Sequence, residues 1–468
     1  MPHSPATATP HRAPAPHPAR PARGTRRRPA LPADTGPALV LGLIAAGAAG
    51  ALAVWWAGTP DIRGAGQWLT DAGRVCGLLA GYGAPVLLLL MARIPALENG
   101  IGSDRLARWH AHGGRYLVWL VLTHIAFVVW GYALTDHSGV LGEGTDIVLH
   151  YPDMLKATAG TLLLFATGVL SARAARRRLR YEAWYYLHLA TYLAVALAFA
   201  HQLSNGADLI ASGAARAYWY TLYFGTAVVV GWFRLLRPFL RDQRHQLRVA
   251  EVRPEAPGVV SVLLTGRRLD ELGARPGQFF RLQFEAPGLR WSANPYSLSA
   301  PADPRFLRFT VKDLGDHSAA AARLRPGTHV HVEGPYGAFT ARRRRRRQVL
   351  LIAAGVGITP LRALFESLPA RRGDLTLVYR VSREQDVLFR AELESIARAR
   401  GARLHLLVGR RAEIGDPLRA EALARLVPGL ARHDVFVCGP EALAARTELS
   451  LRAAGVPARH IHRESFAF

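Results

Sequence analysis

Four histidines mark two long, largely apolar stretches: His110, near the start of the first, with His124 fourteen residues later, and His188 and His201, thirteen apart, in the second. A polar side chain in a run long enough to cross a bilayer is costly and points to function. At 1.5 Å per residue the two spacings are about 21 and 20 Å along a helix. Two helices would then each present one imidazole near the inner side of a membrane and one near the outer side. Imidazole is an axial haem ligand, and two per iron leave an electron carrier with no open position. The pattern predicts two stacked haems, held by His110 with His188 and by His124 with His201. Fourteen residues is close to a whole number of turns, so His110 and His124 share a face. Thirteen puts His188 and His201 on nearly opposite faces, which predicts a bulge or tightened turn between Tyr192 and His201. His112 would swing off the shared face and ranks behind His110, while His137 and His150 fall between runs and are expected in water. A rival from another class keeps the same histidines as the path of a metal-ion transporter with a regulatory nucleotide-binding part.

A second set of residues lies in the C-terminal half. Arg275-Pro276-Gly277-Gln278-Phe279-Phe280 precedes Asn294-Pro295-Tyr296-Ser297-Leu298-Ser299, and Lys312-Asp313-Leu314-Gly315-Asp316-His317-Ser318 follows. A Tyr-Ser pair on a strand offers an aromatic wall and a hydroxyl to an isoalloxazine ring. Gly315 and Ser318 at a helix start offer backbone N–H groups to a phosphate. Further on, Leu350–Ala354 runs into Gly355-Val356-Gly357-Ile358-Thr359-Pro360, a strand, a Gly-x-Gly turn and a helix. That is a phosphate cradle at a helix N-terminus, lacking the third glycine of the usual dinucleotide fingerprint. Cys438-Gly439-Pro440 ends a later strand, where parallel sheets bind ligands; Cys438 reads equally well as a buried core thiol. Ser382 and Arg383 follow the second strand of this part, where a hydroxyl and a guanidinium could meet a 2′-phosphate, which favours NADPH over NADH.

The elements that must position these residues follow from composition. The 468 residues suggest about three domains at roughly 150 residues each. Half are hydrophobic, yet the net charge is +25, and all but two of the 59 basic residues are Arg. Ordinary nucleic-acid binders are less apolar, so no nucleic-acid partner is expected; basic segments between apolar runs suit a membrane protein. The two Cys match no zinc or redox spacing, which excludes a disulfide scaffold. Residues 1–36 form a Pro- and Arg-rich tail that cannot bury a core. Uncharged runs at about 38–57, 75–92, 116–135, 157–172, 183–207 and 217–233 predict a six-helix membrane bundle over residues 37–237. The loops at 93–109 and 173–182 are rich in Arg, while 136–153 carries four acids and no Lys or Arg. With positive charge inside, both termini are expected in the cytoplasm of a multi-pass plasma-membrane protein. Short alternating runs over 238–346 predict an antiparallel β-barrel, and strand–turn–helix repeats over 347–468 an α/β parallel-sheet domain. The run Arg342–Arg347 reads as a solvated or lipid-facing basic loop.

Taken together, the four histidines, Asn294–Ser299, Gly355–Pro360, Cys438–Pro440 and the ending Arg463-Glu464-Ser465-Phe466-Ala467-Phe468 resemble the ferric reductase and NADPH oxidase superfamily. The resemblance covers about residues 38–468. It implies two b-type haems in the membrane, then a ferredoxin-reductase-like FAD barrel and an NAD(P)H domain. By that resemblance Tyr296 and Ser297 meet the flavin, Lys312 through Ser318 help hold its phosphates, and Gly355–Thr359 hold the nicotinamide nucleotide. Cys438 and Gly439 would lie near the nicotinamide, and Phe468 would stack on the flavin. The family usually has His or Arg where Asn294 stands, and Arg290 is the candidate replacement. No calcium-binding loop is present. A hydride donor gives two electrons at once and haem iron takes one, so flavin must lie between them. The implied path runs from NAD(P)H to FAD, to the His110/His188 level, to the His124/His201 level, and out to a small extracytoplasmic acceptor. Ferric iron is the preferred acceptor, with superoxide production from dioxygen as the alternative; no protein partner is implied.

Overall fold

The computed structural model describes residues 35–59, 62–172, 181–206, 212–290 and 292–465. The basic loop at 173–180, most of the N-terminal tail and Phe468 lie outside them. Helices α1 (Thr35–Gly58), α2 (Gly64–Leu90), α4 (Ser103–Thr135), α6 (Met154–Ser171) and α7 (Tyr181–Asn205) account for five helices long and apolar enough to span a bilayer. The sixth expected run forms α8 (Gly213–Gly231), which is not one of those five. Arg216, Tyr218, Trp219, Tyr220 and Tyr223 lower its hydropathy. Helix α2 starts eleven residues before the expected run because Asp71 and Arg74 pair at 3.0 Å along one helix face, which lets the helix carry both charges. The 136–153 connection is not a plain loop: it contains α5 (Val140–His150), whose Glu143 is buried and accepts from Ser138 Oγ at 2.7 Å. A short α3 (Pro95–Gly100) lies between α2 and α4.

The irregularity expected between Tyr192 and His201 is absent. Helix α7 is unbroken from Tyr181 to Asn205 and contains neither Gly nor Pro. Every backbone group in an apolar environment must be satisfied within the helix, and nothing in this run offers a break. The irregularity comes later. From α8 the chain runs without interruption through a π-helical turn at Trp232–Leu236 into α9 (Arg237–His245). Pro238 removes one N–H and crowds the preceding turn, and a wider turn absorbs both effects. The chain therefore leaves the membrane part as a continuous helix, across the expected 237/238 boundary.

Beyond α9 lie two three-stranded antiparallel sheets. One has the order β1 (Arg248–Ala256), β2 (Val259–Thr265), β5 (Leu307–Lys312), and the other β4 (Asn294–Ser297), β3 (Phe279–Phe284), β6 (Val330–Tyr336). Single bridges at Arg248–His329 and Leu298–Phe309 join them. Alternation along β3 and β6 sends Phe280, Leu282, Phe284, Val330 and Val332 into one core with Val262, Leu264 and Phe309. The third layer is a five-stranded parallel sheet in the order β11 (Ile461–Ser465), β10 (His433–Gly439), β7 (Gln348–Ala354), β8 (Leu375–Val381), β9 (Arg403–Val408). Its central strands are buried on both faces, which explains their unbroken apolar runs.

The Arg342–Arg347 run is more than a solvated loop. The backbone N–H groups of Arg345 and Arg346 each donate to Asp434 at 2.5 Å, and Arg347 pairs with Asp374 at 2.8 Å. The run pins the link between the antiparallel sheets and the parallel sheet.

Candidate functional site

Helix α4 carries His110 and His124, and α7 carries His188 and His201. At the first level the rings of His110 and His188 stand 5.9 Å apart, nearly perpendicular. His110 Nδ1 lies 3.1 Å from the carbonyl of Leu87 on α2, and His188 Nδ1 lies 3.1 Å from Ser171 Oγ at the end of α6. Trp184, one turn earlier, stacks on His188 at 5.2 Å. At the second level His124 Nδ1 lies 2.9 Å from the carbonyl of Gly73 on α2. His201 is within electrostatic range of His124, and its buried Nδ1 has no well-formed hydrogen bond among the described residues. A Cβ at Gly77 would lie 2.7 Å from His124 Nδ1, so only glycine lets that imidazole lie against α2. His112 is exposed and turns back on the carbonyl of Arg108.

At the first level the donor set fits a metalloporphyrin. Where Nδ1 is engaged by a carbonyl or hydroxyl, Nε2 is left as the ligating nitrogen, the usual second-shell device. The His110 and His188 rings, 5.9 Å apart, come from two different helices to one place, where both could hold one such group.

The first level lies on the side of the soluble layers. Arg93, in the turn after α2, is half-buried, forms an ion pair with Glu333 of β6 and sits 6.0 Å from the Tyr336 ring. Burial, with Arg281 next to it, lowers its guanidinium pKa to about 10. Arg234, in the π-helical turn, acts electrostatically on both Arg93 and His110. Nothing in the sequence pointed to the pairing of Arg93 with Glu333, because an ion pair between residues 240 apart has no local pattern.

On the antiparallel sheets, β4 presents Asn294, Tyr296 and Ser297. Ser297 Oγ is buried and has no hydrogen-bond partner among the described residues, as a hydroxyl awaiting a ligand would be. Burial pushes the Tyr296 phenol up to about 12 despite the neighbouring Asn294, so it is a neutral wall and donor at physiological pH. Asn294 Nδ2 lies 2.8 Å from His317 Nδ1, which brings an imidazole to the place where the sequence lacks the usual basic residue. The exposed Arg290, the expected replacement, has its carbonyl bound by Gln283 at 2.5 Å. In the Lys312–Ser318 loop the N–H groups of Leu314 and Gly315 already donate to Ser318 Oγ at 2.7 Å and Asp313 Oδ1 at 3.0 Å. Of the expected phosphate donors, the Gly315 N–H is therefore engaged within the loop, and helix α10 (Asp316–Ala320) behind it is only one turn long.

At the parallel sheet, Gly355–Gly357 forms a 3-10 turn between β7 and α11 (Ile358–Ser367), with Thr359 Oγ1 donating to the carbonyl of Val356 at 3.0 Å. A Cβ at Gly357 would lie 2.2 Å from the carbonyl oxygen of Cys438, so the turn and the end of β10 approach only because residue 357 is glycine. Gly355, Gly357, Thr359, Cys438 and Gly439 thus share one edge. Burial first, and then Glu464, push the Cys438 thiol well above its ordinary value, so it is neither a thiolate nor a nucleophile at neutral pH. Ser382 and Arg383 are exposed just beyond β8, next to β7 in the sheet. An ion-pair network also missed from sequence joins the layers: Glu392 of α12 (Arg390–Arg400) meets Arg308 of β5 at 2.8 Å and Arg362 of α11 at 2.7 Å.

The arrangement of membrane helices, flavin-type sheets and nucleotide sheet defines a class that comparisons make specific. Residues 76–199 match the ferric reductase like transmembrane component, and residues 351–448 match the oxidoreductase NAD-binding domain. The chain therefore joins a ferric reductase-like membrane segment to a segment like oxidoreductase NAD-binding domains. The first match includes His110, His124 and His188 and stops two residues short of His201.

Among curated relatives, the chain is 34% identical over 231 residues to the ferredoxin reductase component of 3-ketosteroid-9-alpha-monooxygenase from Mycolicibacterium smegmatis, covering 47% of this chain and 65% of that one. It is 30% identical to the glycine betaine monooxygenase reductase subunit of Chromohalobacter salexigens, covering 48% and 64%. It thus spans just under two thirds of the length of each. Among solved structures, the FAD/NAD-binding domain of nitric oxide dioxygenase from Vibrio cholerae aligns at TM-score 0.40 and 23% identity, over 47% of this chain and 98% of that one.

Proposed function

We propose that the protein is a transmembrane flavocytochrome b oxidoreductase that moves electrons from NAD(P)H in the cytoplasm to a one-electron acceptor on the far side of the membrane, with ferric iron as that acceptor. The reading takes α8 as a sixth span, which returns the chain to the cytoplasmic side. When bound, FAD and two b-type haems would supply the conversion from two-electron to one-electron chemistry and the relay across the apolar layer. His110 and His188 would hold the haem nearer the soluble layers, and His124 and His201 the farther one. Leu87, Gly73 and Ser171 fix the ring orientations from behind. Tyr296 and Ser297 would wall and hydrogen-bond the flavin, while the Gly355–Gly357 turn and Gly439 would admit the nicotinamide nucleotide close to backbone.

The observation that carries this reading is the pair of rings His110 and His188, 5.9 Å apart on two different helices, each with Nδ1 engaged from behind. The experiment is proteoliposomes with an impermeant ferric chelate trapped inside and NADPH added outside. Reduction of the trapped chelate by the wild type but not by His124→Ala supports the proposal. Equal reduction by both would overturn the transmembrane path. Superoxide formed in place of ferrous chelate would replace iron with dioxygen as the acceptor.

A further inference from the structure

The strongest cluster outside the redox site lies where α9 meets β6. His329 and His331 are two residues apart on an extended strand, so both imidazoles project to one face. Their rings are 4.7 Å apart. Asp242, on the helix that continues from the membrane, places Oδ1 3.3 Å from His331 Nδ1 and 3.6 Å from His329 Nε2. The three ligand atoms lie within 4.8 Å of one another. Glu285, at the end of β3, accepts from the opposite nitrogen of His331, Nε2, at 2.9 Å and lies 3.7 Å from His329 Nδ1.

These distances have a chemical consequence. Asp242 Oδ1 is buried and lies within 3.6 Å of two ring nitrogens, yet it has no well-formed hydrogen bond among the described residues, so the three polar atoms converge without satisfying one another. Bonds of about 2.0–2.2 Å to a tetrahedral ion place neighbouring ligand atoms about 3.3–3.5 Å apart, close to the 3.3 and 3.6 Å found. Glu285 behind His331 completes the carboxylate–histidine–metal arrangement that fixes a ligand's tautomer.

We propose that His329, His331 and Asp242 form a binding site for a divalent transition metal, zinc in the first instance. Glu285 serves as the supporting carboxylate, and water fills the fourth position. Two imidazoles and one carboxylate suit zinc among the common divalent ions, whereas magnesium and calcium prefer oxygen ligands alone. The site ties the helix leaving the membrane to the strand that carries Glu333 and Tyr336, so the metal would clip the flavin sheets against the membrane domain. It is independent of the haem assignments.

The test uses full-length protein in detergent, stripped with chelator and titrated with zinc chloride, then with cobalt chloride as a spectroscopic probe. The wild type should bind one more equivalent of zinc than the His329→Ala/His331→Ala double variant, and show a visible cobalt band that the variant lacks. Glu285→Gln should retain the site with affinity weakened about 10–100-fold. Zinc should also raise the melting temperature of the wild type and not of Asp242→Asn, a milder change that guards against misfolding of the double variant. Equal zinc stoichiometry in the wild type, the double variant and Asp242→Asn would overturn the proposal. So would a cobalt spectrum without a tetrahedral band.

Discussion

Replacing Gly77 by Ala tests the second haem level without touching a ligand. The added Cβ would stand 2.7 Å from His124 Nδ1, short of ordinary contact at 3.4 Å by roughly 0.7 Å. The ring must move away from α2, and the 2.9 Å hydrogen bond to the Gly73 carbonyl is lost with it. Such a bond contributes about 0.5–1.5 kcal/mol net, and overpacking costs about 1–3 kcal/mol. At 1.4 kcal/mol per factor of ten, occupancy of the His124/His201 level should weaken roughly tenfold to a thousandfold. The assay is the reduced-minus-oxidised spectrum and low-temperature paramagnetic resonance of purified protein, normalised to flavin. Gly77→Ala should lose or broaden one of two low-spin haem signals and keep the other. Gly83→Ala, on the same helix, is the control: its Cβ would meet only Leu117 Cδ1 at 3.8 Å, so both signals should persist. Two unchanged signals in Gly77→Ala would refute the placement of His124 as a ligand.

Three further outcomes are expected. Gly357→Ala forces a Cβ onto the Cys438 carbonyl and should raise the KM for NADPH about fivefold to a hundredfold, from about 1–3 kcal/mol of overpacking, with the haem spectrum unchanged. Glu333→Gln leaves the half-buried Arg93 without its counter-ion. In stopped-flow measurements it should slow haem reduction about tenfold to a hundredfold while NADPH still bleaches the flavin at the wild-type rate. Burial alone would raise the Asp434 carboxyl, but hydrogen bonds from His462, His460 and the backbone of Arg345 and Arg346 outweigh it and hold it well below the usual range. A depressed carboxyl stabilises the fold above about pH 4 and loses that effect as pH falls through its lowered pKa. Asp434→Asn should therefore lower the melting temperature at pH 7 and flatten its acid dependence, as calorimetry would show.

What could be read from the sequence was what repeats locally. The apolar runs, the change to alternating strands after Pro238 and the Gly-x-Gly turn are patterns within a few residues, and each became the expected kind of element. The histidine spacing was legible for the same reason, although the expected break in α7 was wrong: a run without Gly or Pro stays helical in an apolar setting. What was not legible depends on partners far apart in the chain. Arg93 with Glu333, Arg308 with Glu392, and Asp242 with His329 and His331 are polar residues on ordinary surfaces until the fold brings them together. Asp71 and Arg74 misled in the other direction, since two charges that pair along a helix look like the end of a span.

An anaerobic absorption spectrum of the detergent-purified full-length protein, before and after NADPH, tests the transmembrane flavocytochrome directly. Flavin bleaching should be followed by reduced b-type haem bands, at two haems per chain, with the bands lost on adding a ferric chelate. Folded, flavin-containing protein that shows no haem bands would contradict it and return the four histidines to another role.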